Sequence, residues 1–159
     1  MNGIFINISL VLISLIIISI LAFYLYRNNI LNTDLRKIDL YINENKFVVE
    51  VADTSLSRQQ GLMNRQSLGK HEGMLFVFPS SFIYPFWMKD TLIPLDIIWI
   101  NANKEIVYIA ENVQPCENIV TKLCKAVNPQ KLSIYVLEIN AGTVNDLDIK
   151  VGDAIEFEL

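Results

Sequence analysis

No charged side chain occurs before Arg27, and Ile4 to Tyr26 reads IFINISLVLISLIIISILAFYLY. A helix needs roughly 20 apolar residues to cross a hydrocarbon core of about 30 Å, and this run is long enough. Asn7, Ser9, Ser14 and Ser19 are polar but uncharged, so insertion stays inexpensive. Tyr24 and Tyr26 fall where an interfacial aromatic belt would sit, and Arg27 supplies a stop. The run has no amphipathic stripe, which argues against a helix buried in a soluble fold. The expectation is a single transmembrane anchor over residues 1–27, with residues 4–26 in the lipid bilayer.

A cleavable signal peptide is the competing reading. It would need a basic start, a core of about 7–15 residues and a small-residue cleavage site. Here no Lys or Arg precedes the run, and Ala22 is followed by Phe23 and Tyr24. Orientation draws opposing signals. Arg27, Arg36 and Lys37 follow the helix, which under the positive-inside rule favours a cytoplasmic domain. The cysteines, below, favour the other side.

The whole chain has 159 residues, enough for one domain and an appendage. Its formal charge of −4 lies entirely from Arg27 onward. That mild acidity argues against nucleic-acid binding, which needs a basic face, and against a polybasic membrane patch. Residues 28–39 read as a linker and 40–159 as a β-rich domain.

Within 40–159 the apolar pattern has a period of two. Leu40-Tyr41-Ile42 and Phe47-Val48-Val49-Glu50-Val51 flank a turn signal and predict a hairpin. Asp53-Thr54-Ser55 can cap a short helix running to about Gln60, with Gly61 ending it. Gly73 to Phe78 predicts a strand stopped by Pro79, and Phe86 to Lys89 an extended segment. The strands at Asp96–Ile100 and Glu105–Ile109 flank Asn101-Ala102-Asn103-Lys104, the clearest hairpin in the chain. Ile134 to Asn140 predicts another strand, Thr143 to Leu147 one helical turn, and Ala154 to Leu159 a last strand. The expected fold is mainly β: a compact antiparallel sandwich or partly open barrel with one short helix, preceded by a single transmembrane helix.

Cys116 and Cys124 have seven residues between them and lie in the least regular part of the domain. In an oxidising compartment they would pair; in a reducing cytosol they would be free thiols. Zinc needs about four ligands, and the only histidine is His71. A disulfide requires an extracytoplasmic domain, periplasmic or at the cell surface, which the anchor permits.

Several ordered blocks carry a resemblance. Val51-Ala52-Asp53-Thr54, Gly61-Leu62-Met63-Asn64-Arg65 and Glu72 to Phe78 come first. Phe86-Trp87-Met88-Lys89-Asp90-Thr91 and Ile93 to Ile98 follow, then Ala110 to Cys116 and Tyr135 to Gly142. Together they resemble the domain-of-unknown-function family 192 over about Val49 to Phe157. The resemblance implies a compact, mainly antiparallel β domain, often exported or membrane-anchored in prokaryotes, with no agreed activity. Asp90 stands where the family pattern has Asn, and the anchor stands where many relatives have a cleavable signal.

Candidate ligand-binding residues are Arg58, Arg65, Trp87, Lys89, Asp90, Asp96, Glu111 and Glu138. In an extended segment Trp87 and Lys89 point one way, Met88 and Asp90 the other. An indole beside an ammonium can form the floor of a site for a sugar ring or an anion; the competing reading puts Trp87 in the core and Lys89 in water. Arg58 and Arg65 could hold a carboxylate or phosphate bidentately, or each make a surface ion pair. Asp96, Glu111 and Glu138 lie in or beside apolar strands, where a carboxylate needs a partner. These residues predict a non-catalytic binding or accessory module for a small polar or carbohydrate-like ligand or an envelope partner. The alternatives are an envelope hydrolase using two of the three carboxylates and a structural interaction domain. Copper binding by Met63, Met74, Met88, His71 and Trp87 competes with methionine's ordinary core packing. No phosphate-binding glycine loop or serine-nucleophile pattern is present, and no cofactor or metal is predicted.

Overall fold

A computed structural model describes residues 8–31, 35–116 and 124–159, with side chains from 11 to 24 in the first stretch. The chain divides into two compact units, Met1–Asp34 and Leu35–Leu159. In the first unit, α1 spans Ile8–Leu31. Its side chains from 11 to 24 are exposed on every side. Ser14 Oγ donates to the Val11 carbonyl at 2.7 Å and Ser19 Oγ to that of Ile16 at 2.8 Å, so both hydroxyls are satisfied within the helix. Residues 11–24 cover about 21 Å of helix axis. Among the described residues no helix is long and apolar enough to cross a membrane. Residues 1–7 of the expected anchor, and the side chains of Tyr26 and Arg27, lie outside the described residues.

The second unit is built on one mixed sheet. Its strands are β1 (Lys37–Ile42), β2 (Asn45–Ala52), β3 (Glu72–Phe82), β4 (Leu95–Ile100), β5 (Ile106–Val113), β6 (Ser133–Asn140) and β7 (Ile155–Phe157). They lie in the order β5-β4-β6-β3-β2-β1-β7 and curl into a half-barrel. The short helix α2 (Ser55–Gln60) lies in the crossover from β2 to β3, and α3 (Thr143–Asp146) follows β6. The expected hairpins β1–β2 and β4–β5 form, the first turning at Asn43 with φ +54°.

Several expectations need correction. Among the described residues the sheet is single and curled, the partly open barrel rather than the sandwich, and β2 and β3 run parallel, so it is not wholly antiparallel. A chain segment holding α2 separates these two strands, and the crossover returns it in the same direction. Among the described residues of this unit there are two short helices, and the expected turn at Thr143 to Leu147 forms the second, over Thr143–Asp146. Pro79 does not stop β3, because the register shifts between Val77 and Phe82 and Pro79 needs no ladder N–H there. Phe86 to Lys89, expected as an extended segment, makes one isolated bridge, Phe86 to Val127, and enters a turn at Lys89.

The two-residue period of the strands sorts their side chains onto two faces. One face gathers residues from all seven strands, among them Leu40, Phe47, Leu75, Ile98, Ile106, Leu137 and Phe157, into the half-barrel interior. The other gathers Ala52, Met74, Phe76, Leu95, Ile97, Trp99 and Val136 and is covered by Leu62 and Met88. β4 (LDIIWI) is buried along its whole length, as a strand packed on both faces must be. At one end the two borders of the sheet meet. Glu105 bridges Ala154, Ile106 N donates to Asp153 O at 2.9 Å, and Ile155 N donates to Lys104 O at 2.8 Å.

Candidate functional site

The second face of the sheet carries a cavity of about 290 Å³ between α2, β3, β6 and the loop from Tyr84 to Thr91. Local chemistry builds its walls. Thr54 caps α2: its Oγ1 accepts from Ser57 N at 3.0 Å, and Ser57 Oγ accepts from Thr54 N at 3.0 Å. Gly61 ends the helix at φ +47°, where a Cβ would meet the Phe76 ring at 3.2 Å. The chain therefore turns close over β3, bringing Leu62 and Met63 to the cavity.

Arg58 projects from α2. Its guanidinium donates to the carbonyls of Asp53 and Val77, the latter at 2.8 Å, and stands 5.4 Å from the centre of the Phe78 ring. None of the salt bridges among the described residues includes it. Phe78 stacks on Tyr84 at 3.6 Å between ring centres. Phe86 meets the rings of Phe76 and Trp99 edge-on. These form an aromatic wall.

At the mouth, Trp87 is 50% exposed and the Lys89 ammonium lies 5.6 Å from its ring centre. Met88 between them is buried. The alternation expected of this segment thus holds for these three residues, although the backbone is a loop.

Glu138 is the most buried of the ionisable groups that line the cavity. In β6 it is opposite Met74 of β3 and Ile97 of β4, both on the second face. It is 5% exposed and lines the cavity. No hydrogen bond joins its carboxyl to the described residues, and burial pushes its pKa up to about 8.

Four of the eight candidate residues, Arg58, Trp87, Lys89 and Glu138, therefore share one cavity. The other four lie elsewhere. Arg65 grips Glu50 through two hydrogen bonds of 2.7 and 2.5 Å. That bidentate pairing, against the opposing effect of partial burial, lowers the Glu50 pKa and raises that of Arg65. Asp90 sits in a turn at φ +54°, and its carbonyl accepts from Asn64 N at 2.7 Å. Asp96 is fully buried, its two oxygens accepting from Asn112 N at 2.8 Å and Val144 N at 2.9 Å. Glu111 is exposed on the border strand β5. Asp96 precedes Ile97 on β4 and so points away from Glu138, to the opposite face.

Sequence reasoning missed the aromatic wall and Thr91. The wall had a signal, since Phe76 and Phe78 are two apart in a strand and must share a face. Cys116 and Cys124 form a disulfide. His71 packs its ring on Phe47 at 5.7 Å. Among the described residues no group of three or more His, Cys, Asp or Glu side chains could hold a metal ion.

Comparison with known proteins gives consistent results. The chain is 26% identical over 114 residues to a UPF0127 protein of Thermococcus kodakarensis, covering 69% of this chain and 64% of that relative. It thus spans under two thirds of that relative's length. A UPF0127 protein of Pyrococcus furiosus is 26% identical over 119 residues, 72% of this chain and 90% of the relative. Among solved structures, a candidate transcription regulator from Sinorhizobium meliloti superposes with a TM-score of 0.67 at 33% identity, covering 76% of this chain and 92% of that one. A protein of unknown function from Novosphingobium aromaticivorans gives 0.68 at 32% identity, over 79% and 88%. The family profile described as "Uncharacterized ACR" matches residues 38–157, and the chain belongs to that family, DUF192.

Proposed function

We propose that this chain is a membrane-tethered, extracytoplasmic binding module, without catalysis of its own, that takes a small polar ligand in the cavity beneath Trp87. The observation that carries the reading is the half-exposed indole with an ammonium over its face, opening onto a cavity that holds a guanidinium and one buried carboxyl. Small-molecule sites are concave and largely apolar, with a few polar groups that fix orientation. A hydrolase with paired carboxylates has less support. Asp96 serves two backbone N–H groups on the far face, and Glu111 is exposed on a border strand.

The uncharged opening stretch and the self-satisfied serines of α1 support tethering. The disulfide supports an oxidising compartment. Thiol labelling of intact cells, with and without reductant, tests placement: Cys116 and Cys124 react only after reduction and without lysis. Thiols that react only after lysis, with no reductant, refute it. For binding, the full-length protein in detergent micelles is titrated with monosaccharides, amino acids and carboxylates while tryptophan fluorescence is followed. Trp87→Ala weakens any ligand so found by about tenfold, the scale of one lost aromatic contact. An unchanged affinity refutes the assignment of the site.

A further inference from the structure

Ionisable groups in the cavity are sorted by burial. The deep end holds Glu138, more than nine-tenths buried and without a hydrogen-bond partner among the described residues. The outer part holds two cations: Lys89, exposed beside Trp87, and Arg58, anchored to backbone carbonyls rather than to a carboxylate. Aromatic rings, among them Phe78, Tyr84 and Phe86, also line the cavity.

A simple anion would satisfy the cations but leave the buried Glu138 carboxyl without a partner. A simple cation would meet Glu138 but would have to pass two like charges with nothing to offset them. A molecule with both charges answers both ends. Ring faces are also favourable surroundings for an ammonium group.

On the reading above that this cavity holds a small polar ligand, we infer that the ligand is a small zwitterion of the amino-acid class. Its ammonium goes inward to Glu138, and its carboxylate stays outward by Arg58 and Lys89. The size agrees, since 290 Å³ lies at the lower limit of ordinary ligand sites.

A proton balance follows. Burial keeps Glu138 protonated in the empty cavity near neutral pH. When the ammonium enters, the carboxyl ionises and its proton passes to solvent; the charge pair replaces the O–H, and no other bond changes. The other ionisable groups lining the cavity are Arg58 of α2 and Tyr84 and Lys89 of the loop, while β3 and β4 present Met74 and Ile97 beside Glu138. Affinity therefore rises with pH up to about 8, by up to about tenfold per pH unit.

Calorimetry on the full-length protein in detergent micelles tests this, run in two buffers of different ionisation enthalpy. The probes are L-leucine, γ-aminobutyrate, n-butylamine, butyrate and glucose. At least one zwitterion binds, with proton release at pH 7, and more tightly than butylamine or butyrate. Glu138→Gln weakens it by about tenfold or more, the scale of a lost charge-assisted hydrogen bond, and abolishes proton release. Arg58→Gln also weakens it but leaves proton release in place. In Glu138→Gln the introduced amide keeps the side-chain volume and removes a buried acid, and a circular dichroism spectrum like that of the parent checks the fold. If glucose binds through Trp87 and neither zwitterion does, the charge assignment falls while the binding reading stands. Butyrate binding as tightly as the zwitterions, or zwitterion affinity indifferent to Glu138→Gln, overturns the assignment as well. If no probe binds, both readings fall.

Discussion

Glu138 should make this domain less stable as the solution becomes more alkaline, and removing its charge should abolish that loss. Its ordinary pKa of 4.5 rises to about 8 in the folded protein because the carboxyl is buried. Well below pH 4.5 the group is protonated in both folded and unfolded chains and carries no penalty. As pH climbs toward 8, the unfolded chain ionises freely while the folded chain retains its proton. The folded state then binds more protons, so stability falls with pH, and the fall levels off above about 8. Each pKa unit between the two states is worth about 1.4 kcal/mol, which over this interval amounts to about 5 kcal/mol. Glu138→Gln should therefore match the parent near pH 4, exceed it by about 3 kcal/mol at pH 7, and by about 5 kcal/mol at pH 9. Hydrogen exchange by the amides of β3, β4 and β6, corrected for intrinsic rates, reports the free energy of opening at each pH. Other titrating groups contribute equally to both proteins, so the difference isolates this residue. Parallel pH profiles for parent and variant would refute the burial argument.

Three further outcomes are expected. Asp96→Asn keeps one acceptor for two backbone N–H groups and turns an amide toward the other, so the unfolding free energy falls by about 2–3 kcal/mol in denaturant melts. Arg65→Met removes the bidentate partner of Glu50 and costs about 1–2 kcal/mol at pH 7. Because Arg65 lowers the Glu50 pKa, that contribution exists above the ordinary carboxylate range and fades as pH falls through the lowered value; thermal melts of parent and variant should converge in acid. Reducing the bond between Cys116 and Cys124 opens a short ring and lowers stability by about 2–3 kcal/mol, read as the shift in unfolding midpoint with and without dithiothreitol.

Local signals in the chain carried local structure well. The β-branched runs, the Asn-rich turns, the cap at Thr54 and the terminating Gly61 each act over a few residues, and each appears where those residues stand. What they do not encode is which strands become neighbours. β6 inserts between β3 and β4 after two intervening hairpin strands, and β3 joins β2 in parallel. Such pairings are chosen by the mutual burial of two faces, not by a turn. The same limit applied to the cavity. Trp87 and Lys89 were legible as a pair because they are two apart in the chain. Arg58 and Glu138 meet them only through sheet order. The acids Asp96 and Glu138 looked equivalent in sequence, both set in apolar strands, yet the parity of their registers sends them to opposite faces. One is consumed by backbone donors and the other is left facing a cavity.

The meeting of the sheet's two borders at the start of β5 and the start of β7 has a further consequence. Unpaired strand edges recruit other chains. Here β7, three residues long, pairs with Leu40–Ile42 of β1, and the residues at its start bond to Lys104–Ile106, so one short segment covers part of both borders. Proteolytic nicking between Val151 and Ile155 would release both of these covered stretches in a single event. Damage there would surface as self-association of the chain before any gradual loosening of its interior.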